Sequence, residues 1–451
     1  MSSLTPSSRV HIMGVAGAGM SALAVYLAEW GASVSGCDLR GGAVLEDLRA
    51  RGIEVTPSHD PRHVAGVDVL LWSPAVHEDH PELVAGAVSG VEELRRRELL
   101  AQLATIQPVL AVTGTHGKTT ATSMLAHVLA SAGDASWMVG AEVRGLGAAG
   151  HYGGGSLALE LDESYGAFTE IAPASLAVLN VDADHLDYYG DLASLRRAFL
   201  ELAERTRGPV VVYGGDEGAR AVATACSRPV TLVGPPGSGA NAVVTTRALR
   251  PFGASADLVS PEGEVHLELA VGGEHSVIDA AVVATLALEN GVPVAAIEEG
   301  LAAFRGAPRR FERVGRFGSA DVVIDYAHLP AEIATTIRSA RSAGYRHPVA
   351  VFQPHRYTRT LAVGEDFAPP FDDLDVVIVT DIYGAGEENP EGVTGEFVAR
   401  ALRRRGRVGE VLYAPTLRDV ARLIERGGGD IILLIGAGDV PEVATLLGVE
   451  P

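Results

Sequence analysis

The sequence predicts an α/β protein built from three Rossmann-like, doubly wound domains in series, the central one an ATPase domain of the phosphate-loop type. Three observations carry this expectation. The chain has 451 residues, 47% of them apolar, enough for two to four separately cored domains at about 150 residues each. Short apolar runs alternate with helical patterns along its whole length, as parallel sheets with crossover helices require. The alternation restarts near Val10, Pro108 and Asp321. The expected domains are therefore 1–106, 107–308 and 309–451.

In the first, residues 10–14 form an apolar run leading into Gly17-Ala18-Gly19-Met20-Ser21-Ala22, a helical pattern to Trp30 and an apolar turn into Asp38. Asp38 lies 19 residues after Gly19. This satisfies the dinucleotide fingerprint, in which glycines let backbone approach a pyrophosphate and the acid takes a ribose hydroxyl. Weaker strands are expected at 53–56 and 68–73, then a charged helix over 91–103. In the second domain, a strand at 109–113 precedes a helix over 119–131, with strands at 157–160, 176–181 and 210–213, a strand-rich stretch over 229–273 and a helix over 275–290. The turn Gly306-Ala307-Pro308 suggests the next boundary. After it, 321–326, 348–353, 375–380 and 430–435 read as buried parallel strands.

The formal charge is −21, from 36 Lys plus Arg against 57 Asp plus Glu. Such a chain repels nucleic acid and anionic lipid at long range, so neither is an expected partner. Cys37 and Cys226 are the only cysteines, too few for a disulfide framework or a structural zinc site, and nothing argues for an oxidising compartment. The N-terminus is polar and no apolar run reaches the 18 or so residues a membrane span needs, so a cytoplasmic protein is expected.

Of the 36 cationic residues, 35 are Arg and one is Lys118. That lysine sits in Gly114-Thr115-His116-Gly117-Lys118-Thr119-Thr120, between an expected strand and an expected helix. Backbone N–H groups of such a turn can cradle phosphate, Lys118 can reach the β and γ oxygens, and the Thr119 hydroxyl can ligate Mg²⁺. A strict Walker pattern would have Gly where Val112 stands, so the match is to a shortened variant. Glu160-Leu161-Asp162-Glu163-Ser164 and Asp182-Ala183-Asp184-His185 follow apolar strands, where doubly wound sheets carry functional groups. They could supply metal ligands, or merely cap helices. His355-Arg356-Tyr357-Thr358-Arg359 places two guanidiniums three residues apart after another strand. They could converge on a carboxylate or end in surface ion pairs.

These motifs together resemble the Mur ligases. The resemblance spans nearly the whole chain: the turn over 14–24, GTHGKTT at 114–120, LELDES at 159–164, DADHLDYYG at 182–190, RRFERVG at 309–315, DYAHLP at 325–330, FQPHRYTRT at 352–360, DIYGAGEENPEGVTGE at 381–396 and GAGD at 436–439. It implies ATP and Mg²⁺ as cofactors and amide formation between UDP-N-acetylmuramate and L-alanine, with the protein a monomer or homodimer. Gly14, Ala16, Gly17, Ala18, Gly19, Met20, Asp38, Ser73, Ala75 and His80 would hold the UDP-sugar. ATP would meet the loop Gly114 to Thr120 together with His275, Asp279 and Arg310. Thr119 and Glu160 would face one Mg²⁺ and His185 a second, and Tyr326, His328, His355, Arg356 and Arg359 the amino acid. Lys118, His328, Arg356 and Arg359 are the candidate catalytic groups.

Relatives that add later amino acids use a modified lysine, which a chain with Lys118 alone cannot supply; the alanine-adding branch is favoured accordingly. The chain departs from the family pattern at Ala16, Cys37, His80, Ser276, Asp279, Ala327 and Leu329. A ligase that recycles intact tripeptide shares most of these motifs. A nicotinamide dehydrogenase would account for the first 40 residues alone.

Overall fold

The computed structural model describes residues 4–39, 41–73, 76–389, 392–424 and 428–449. Its strands fall into three sheets. The first comprises β1 (Arg9–Met13), β2 (Ser33–Cys37), β3 (Glu54–Thr56), β4 (Val69–Trp72) and β5 (Glu92–Arg95), in the order β3-β2-β1-β4-β5. All its pairings are parallel. Strand order reverses at β1, which places a topological switch point at the Gly14 turn, where doubly wound sheets bind ligands.

The second sheet contains β6 (Val109–Thr113), β7 (Ala135–Met138), β8 (Gly150–His151), β9 (Ser156–Glu160), β10 (Ser175–Val178), β11 (Val210–Tyr213), β12 (Thr231–Gly234), β13 (Ala242–Arg250), β14 (Gly253–Ser260) and β15 (Gly263–Leu269). Its order is β15-β14-β13-β12-β11-β10-β6-β9-β7-β8. The central strand β6 is wholly buried and lies parallel to both β9 and β10. The C-terminal ends of these three strands therefore open on one side, where the phosphate loop, the Glu160 cluster and the segment after Val178 meet.

The third sheet contains β16 (Glu312–Phe317), β17 (Ala320–Asp325), β18 (Pro348–Phe352), β19 (Val376–Val379), β20 (Glu410–Tyr413) and β21 (Ile431–Ile435), in the order β16-β17-β21-β18-β19-β20. β16 pairs antiparallel with β17, and the other pairings are parallel. β18 and β21 are buried at every residue, hence their unbroken apolar sequence.

The chain divides into two compact units. One holds the residues up to Ala248, Ala254–Ala270 and His275–Arg305; the other holds Leu249–Gly253, Val271–Glu274 and the residues from Gly306 onward. Within the first unit one apolar cluster runs through both sheets, from Leu23 and Leu27 through Leu99 and Leu103 to Leu157 and Phe199. The fit is close at Gly150, where a Cβ would stand 1.9 Å from the Ala22 carbonyl oxygen. Any other residue there would push the two sheets apart.

The expected elements are found with one change of type. Residues 92–95 form β5 and the helix begins only at Arg96, running Arg96–Ile106. In β5 only Leu94 is buried, so an edge strand of Glu-Glu-Leu-Arg carries no apolar alternation to distinguish it from the helix that follows. Among the described residues no helix is long and apolar enough to cross a membrane.

Candidate active site

β6 ends at Thr113, and the chain turns sharply through Gly114 (φ +146°) and Gly117 (φ +82°) into the helix Lys118–Ala132. Both glycines adopt left-handed backbone that side chains rarely tolerate. At Gly114 a Cβ would also crowd the Asn180 backbone at 3.0 Å. The first intrahelical bond runs from Ala121 N–H to Gly117 O. The N–H groups of Lys118, Thr119 and Thr120 therefore lie at the positive end of the helix, the arrangement that receives phosphate.

The loop is held from outside. The Asn180 side chain accepts from His116 N–H at 2.7 Å and donates to His116 O at 3.0 Å, while the Thr115 hydroxyl accepts from Asp182 N–H at 2.9 Å. Asn180 was not among the residues singled out by sequence. Its only signal there is position, directly after an apolar strand and before the Asp182 cluster.

Lys118 folds back over the turn, its ammonium donating to Gly114 O (2.7 Å), Thr115 O (3.2 Å) and Glu163 Oε2 (2.8 Å), with Asp162 Oδ1 3.4 Å away. Burial works against the charge, but Glu163, Asp162 and Glu160 outweigh it and raise the Lys118 pKa above its ordinary value. The ammonium is thus pre-charged beneath the phosphate position. Glu160 is oriented separately. It accepts from the Thr119 hydroxyl at 3.0 Å and from Gly140 N–H at 2.6 Å. Asp162, Glu163 and His185 present one ligand atom each within 4.8 Å of one another. His185 adopts left-handed backbone at φ +52°. His185, expected beside a second ion and apart from Thr119 and Glu160, lies with Asp162 and Glu163.

Asp279, on the helix Glu274–Glu289, lies against the same turn: a Cβ on Gly117 would be 3.2 Å from both its carboxylate oxygens. Burial pushes its pKa up to about 8. Burial thus favours the neutral carboxylic acid, close in shape and polarity to an amide. His275 is the second residue of the same helix.

The first sheet brings Gly14, Ala16, Gly17 and Ser73 together at its switch point. Gly14 (φ +75°) approaches Ser73 so closely that a Cβ would stand 2.9 Å from the Ser73 Cβ, and Gly17 N–H donates to Gly14 O at 3.1 Å. Asp38 Oδ2 accepts from Ala16 N–H at 3.0 Å, so its carboxylate braces the turn. Ala18, Gly19 and Met20 form the first turn of the helix Ala18–Trp30. His80 caps the helix Pro81–Ser89 through Glu82 N–H and packs edge-on against His59. Ala75 lies outside the described residues.

A residue missed by sequence reasoning joins the two sheets. Arg96 is partly buried, its guanidinium placed where a Cβ on Gly19 would come within 2.8 Å, and it feels the charges of Asp162 and Glu160. Its Nε is buried without a hydrogen-bond partner. A guanidinium with a buried, unused donor between a glycine turn and a phosphate loop is set to receive an anion. The run Arg95-Arg96-Arg97 hides it, since nothing in the sequence says which of the three turns inward.

In the second unit, Tyr326, His328, His355, Arg356 and Arg359 cluster at the ends of β17 and β18. The His328 and His355 ring centres are 5.8 Å apart, and His355 stacks on Tyr383 at 5.7 Å. His328 Nδ1 lies 3.0 Å from Tyr326 O. A carbonyl only accepts, so Nδ1 carries the hydrogen and Nε2 is left as a lone pair. Burial holds the His328 pKa below its usual value. Arg359 Nη1 lies 3.3 Å from His355 Nδ1; a guanidinium only donates, so this ring carries its hydrogen on Nε2. Burial, His328 and the two arginines press the His355 pKa down to about 4. Arg356 itself has left-handed backbone (φ +68°), fixed by its N–H to Tyr383 O at 2.8 Å.

Arg309 and Arg310 both lie over the Tyr326 ring, at 4.8 and 5.1 Å. Arg309 also donates to Gly436 O and Gly438 O at 2.8 Å each. Asp325 accepts from Phe311 N–H and Ala327 N–H at 2.7 and 2.8 Å, which locks the segment carrying these arginines.

Loops built like Gly114 to Thr120 hold nucleotide phosphates, and one closed by a lysine against paired carboxylates belongs to ATP-using group-transfer enzymes. The chain belongs to the Mur ligase family. Its models match residues 9–107 (Mur ligase family, catalytic domain), 112–287 (middle domain) and 309–438 (glutamate ligase domain). The chain is 41% identical to the UDP-N-acetylmuramate–L-alanine ligase of Kineococcus radiotolerans, covering 97% of this chain and 96% of that one. It is 38% identical to the enzyme of the same name from Halorhodospira halophila, covering 98% and 93%. Among solved structures, the UDP-N-acetylmuramate–alanine ligase of Thermotoga maritima superposes with a TM-score of 0.81 at 27% identity, covering 98% of each chain. A murein peptide ligase from Psychrobacter arcticus shares the fold at a TM-score of 0.70 and 20% identity, covering 98% of this chain and 99% of its own.

Proposed function

We propose that the protein joins L-alanine to the lactyl carboxylate of UDP-N-acetylmuramate at the expense of ATP, in peptidoglycan precursor synthesis in the cytoplasm. The observation that carries this reading is full-length identity of 35–41% to ligases of that name, together with the phosphate loop closed by the chain's single lysine. Residues 1–106 would bind the UDP-sugar, 107–308 ATP, and 309–451 the amino acid.

A carboxylate is a poor acyl donor because its leaving group would be oxide. The enzyme therefore transfers the γ-phosphoryl of ATP to it, breaking the terminal phosphoanhydride bond and releasing ADP. The alanine amine then attacks the acyl phosphate carbon, the amide bond forms and phosphate leaves. Lys118 and the N-terminal helix amides hold the phosphoryl group as its charge spreads, and Arg96 offers a permanent cation to the anionic donor. The ammonium proton must leave before attack. His328, neutral and with Nε2 free to accept, is the base this reading assigns.

Mg²⁺ fits the carboxylates present, since a hard cation wants oxygen ligands and keeps several waters. Thr119 and Glu160 would hold one ion and His185, with Asp162 and Glu163, a second. When bound it supplies neutralisation of phosphate charge. Arg356 and Arg359 would grip the alanine carboxylate, with Tyr326 and His355 alongside.

The test is phosphate release by the purified chain with ATP, UDP-N-acetylmuramate and, side by side, alanine, glycine, serine and a muramyl-type tripeptide. Release dependent on both the sugar nucleotide and alanine is expected. Preference for the tripeptide would make this the recycling ligase.

A further inference from the structure

A second cluster of ligand-type side chains lies away from the phosphate loop, on the first sheet. Four elements contribute: His11 from β1, Cys37 from the end of β2, His63 from the short turn Pro61–Val64, and Glu82 from the helix Pro81–Ser89. Their donor atoms all lie within 4.8 Å of one another. His11 Nε2 is 3.4 Å from Cys37 Sγ, Cys37 Sγ is 3.2 Å from Glu82 Oε2, and His63 Nδ1 is 2.7 Å from Glu82 Oε1. His59 Nδ1 approaches the same sulfur and the same carboxylate, at 3.1 Å each.

These separations suit one small ion. Four ligands at about 2.0–2.3 Å from a tetrahedral zinc stand roughly 3.3–3.8 Å apart, so the His11–Cys37 and Cys37–Glu82 separations already fit, while the His63–Glu82 hydrogen bond would open to admit the ion. The donor chemistry suits it too, since two imidazoles, a thiol and a carboxylate are the groups that zinc takes. Outer contacts already aim the ligands. The Ser35 hydroxyl engages His11 Nδ1 at 2.8 Å and leaves Nε2 facing the sulfur, while Asp60 N–H fixes the Glu82 carboxylate at 2.7 Å.

Cys37 and Glu82 are fully buried. The hydrogen bonds that reach Glu82 from these neighbours come from an amide, a thiol and two imidazoles, none of them a permanent cation. A divalent ion would supply the missing positive charge.

We propose that His11, Cys37, His63 and Glu82 form a zinc site that clamps β1, β2, the 61–64 turn and the helix Pro81–Ser89 together, with His59 as the neighbouring imidazole. The site is structural and independent of the ligase reading, since none of its four ligands belongs to the proposed substrate contacts.

The experiment uses the full, tag-free chain. After growth with zinc, elemental analysis should give about one zinc per chain. After chelation, Co²⁺ titration should give the visible bands of a four-coordinate ion and a thiolate-to-cobalt charge-transfer band. Cys37→Ser should abolish that band, Cys226→Ser should keep it, and His63→Ala should weaken Co²⁺ affinity tenfold or more. If Cys37→Ser does not fold, the wild-type and Cys226→Ser spectra still decide. Less than a tenth of an equivalent of zinc with no charge-transfer band on Co²⁺ addition overturns the proposal. So does a band that depends on Cys226, or an ion bound with the oxygen-type spectrum expected at the phosphate-loop carboxylates.

Discussion

Asp279→Asn separates a neutral acid from an ionised one beside the phosphate loop. Burial raises the folded pKa of Asp279 to about 8 from a reference of 3.8. Between those values the native state holds a proton that the unfolded chain has released, so stability falls as pH rises from roughly 4 to 8 and is level beyond. The slope is about 1.4 kcal/mol per pH unit, and at pH 7 the accumulated cost is about 4 kcal/mol relative to a side chain that never ionises. The Asn variant should therefore gain stability over wild type as pH rises. The assay is denaturant or thermal unfolding of both proteins at several pH values from roughly 5 to 9, reading the difference between them. Because the carboxylate faces Gly117, ionisation above pH 8 should also raise the KM for ATP in wild type and not in the variant. Parallel stability curves across the range would mean that Asp279 is ionised in the native protein and would refute the reasoning.

Lys118→Arg should lower kcat to less than a tenth of wild type, about 1.4 kcal/mol or more of barrier, because the planar fork cannot repeat a point contact inside a turn closed by Gly117; single-turnover phosphate transfer measures it. Glu160→Ala should lose rate that high Mg²⁺ restores, whereas Glu163→Ala, which also frees the Lys118 ammonium, should lose rate that Mg²⁺ restores only in part. Equal rescue of the two in a Mg²⁺ titration would show that they do one job. Arg359→Lys should raise the KM for alanine with the KM for ATP nearly unchanged, and steady-state kinetics in each substrate separate these. With wild type, glycine and serine should be used poorly but measurably, since pocket discrimination of this kind is worth about 1–3 kcal/mol.

What the sequence revealed follows from which interactions are local. The central strands of the three sheets were legible because buried parallel strands must be apolar throughout, as in Ile431–Ile435 and Pro348–Phe352, whereas β5, β7, β8, β16 and β20 were not read as strands. The phosphate loop was legible because backbone geometry forces glycine at fixed spacing, here Gly114 and Gly117. Interactions between distant segments left no such trace. Asn180 bonds His116 across 64 residues, and Glu163 meets Lys118 across 45. Arg96 became distinguishable from its two arginine neighbours only when the helix phase was known.

Cys37 shows the same limit at the level of a whole site. Two cysteines were read as too few for a structural zinc site, an inference that weighs thiolates alone. It says nothing of a mixed site whose other ligands, at positions 11, 63 and 82, converge because β1 and β2 lie side by side in parallel register, with His11 opposite Ser35 and Met13 opposite Cys37. His11 and Cys37 therefore point to one face of the sheet, two residues of register apart. The helix Pro81–Ser89 and the 61–64 turn then close over that face, bringing Glu82 and His63. Shifting β1 by one residue would turn His11 to the opposite face and dissolve the cluster, so the proposed metal would report on strand register as well as on stability.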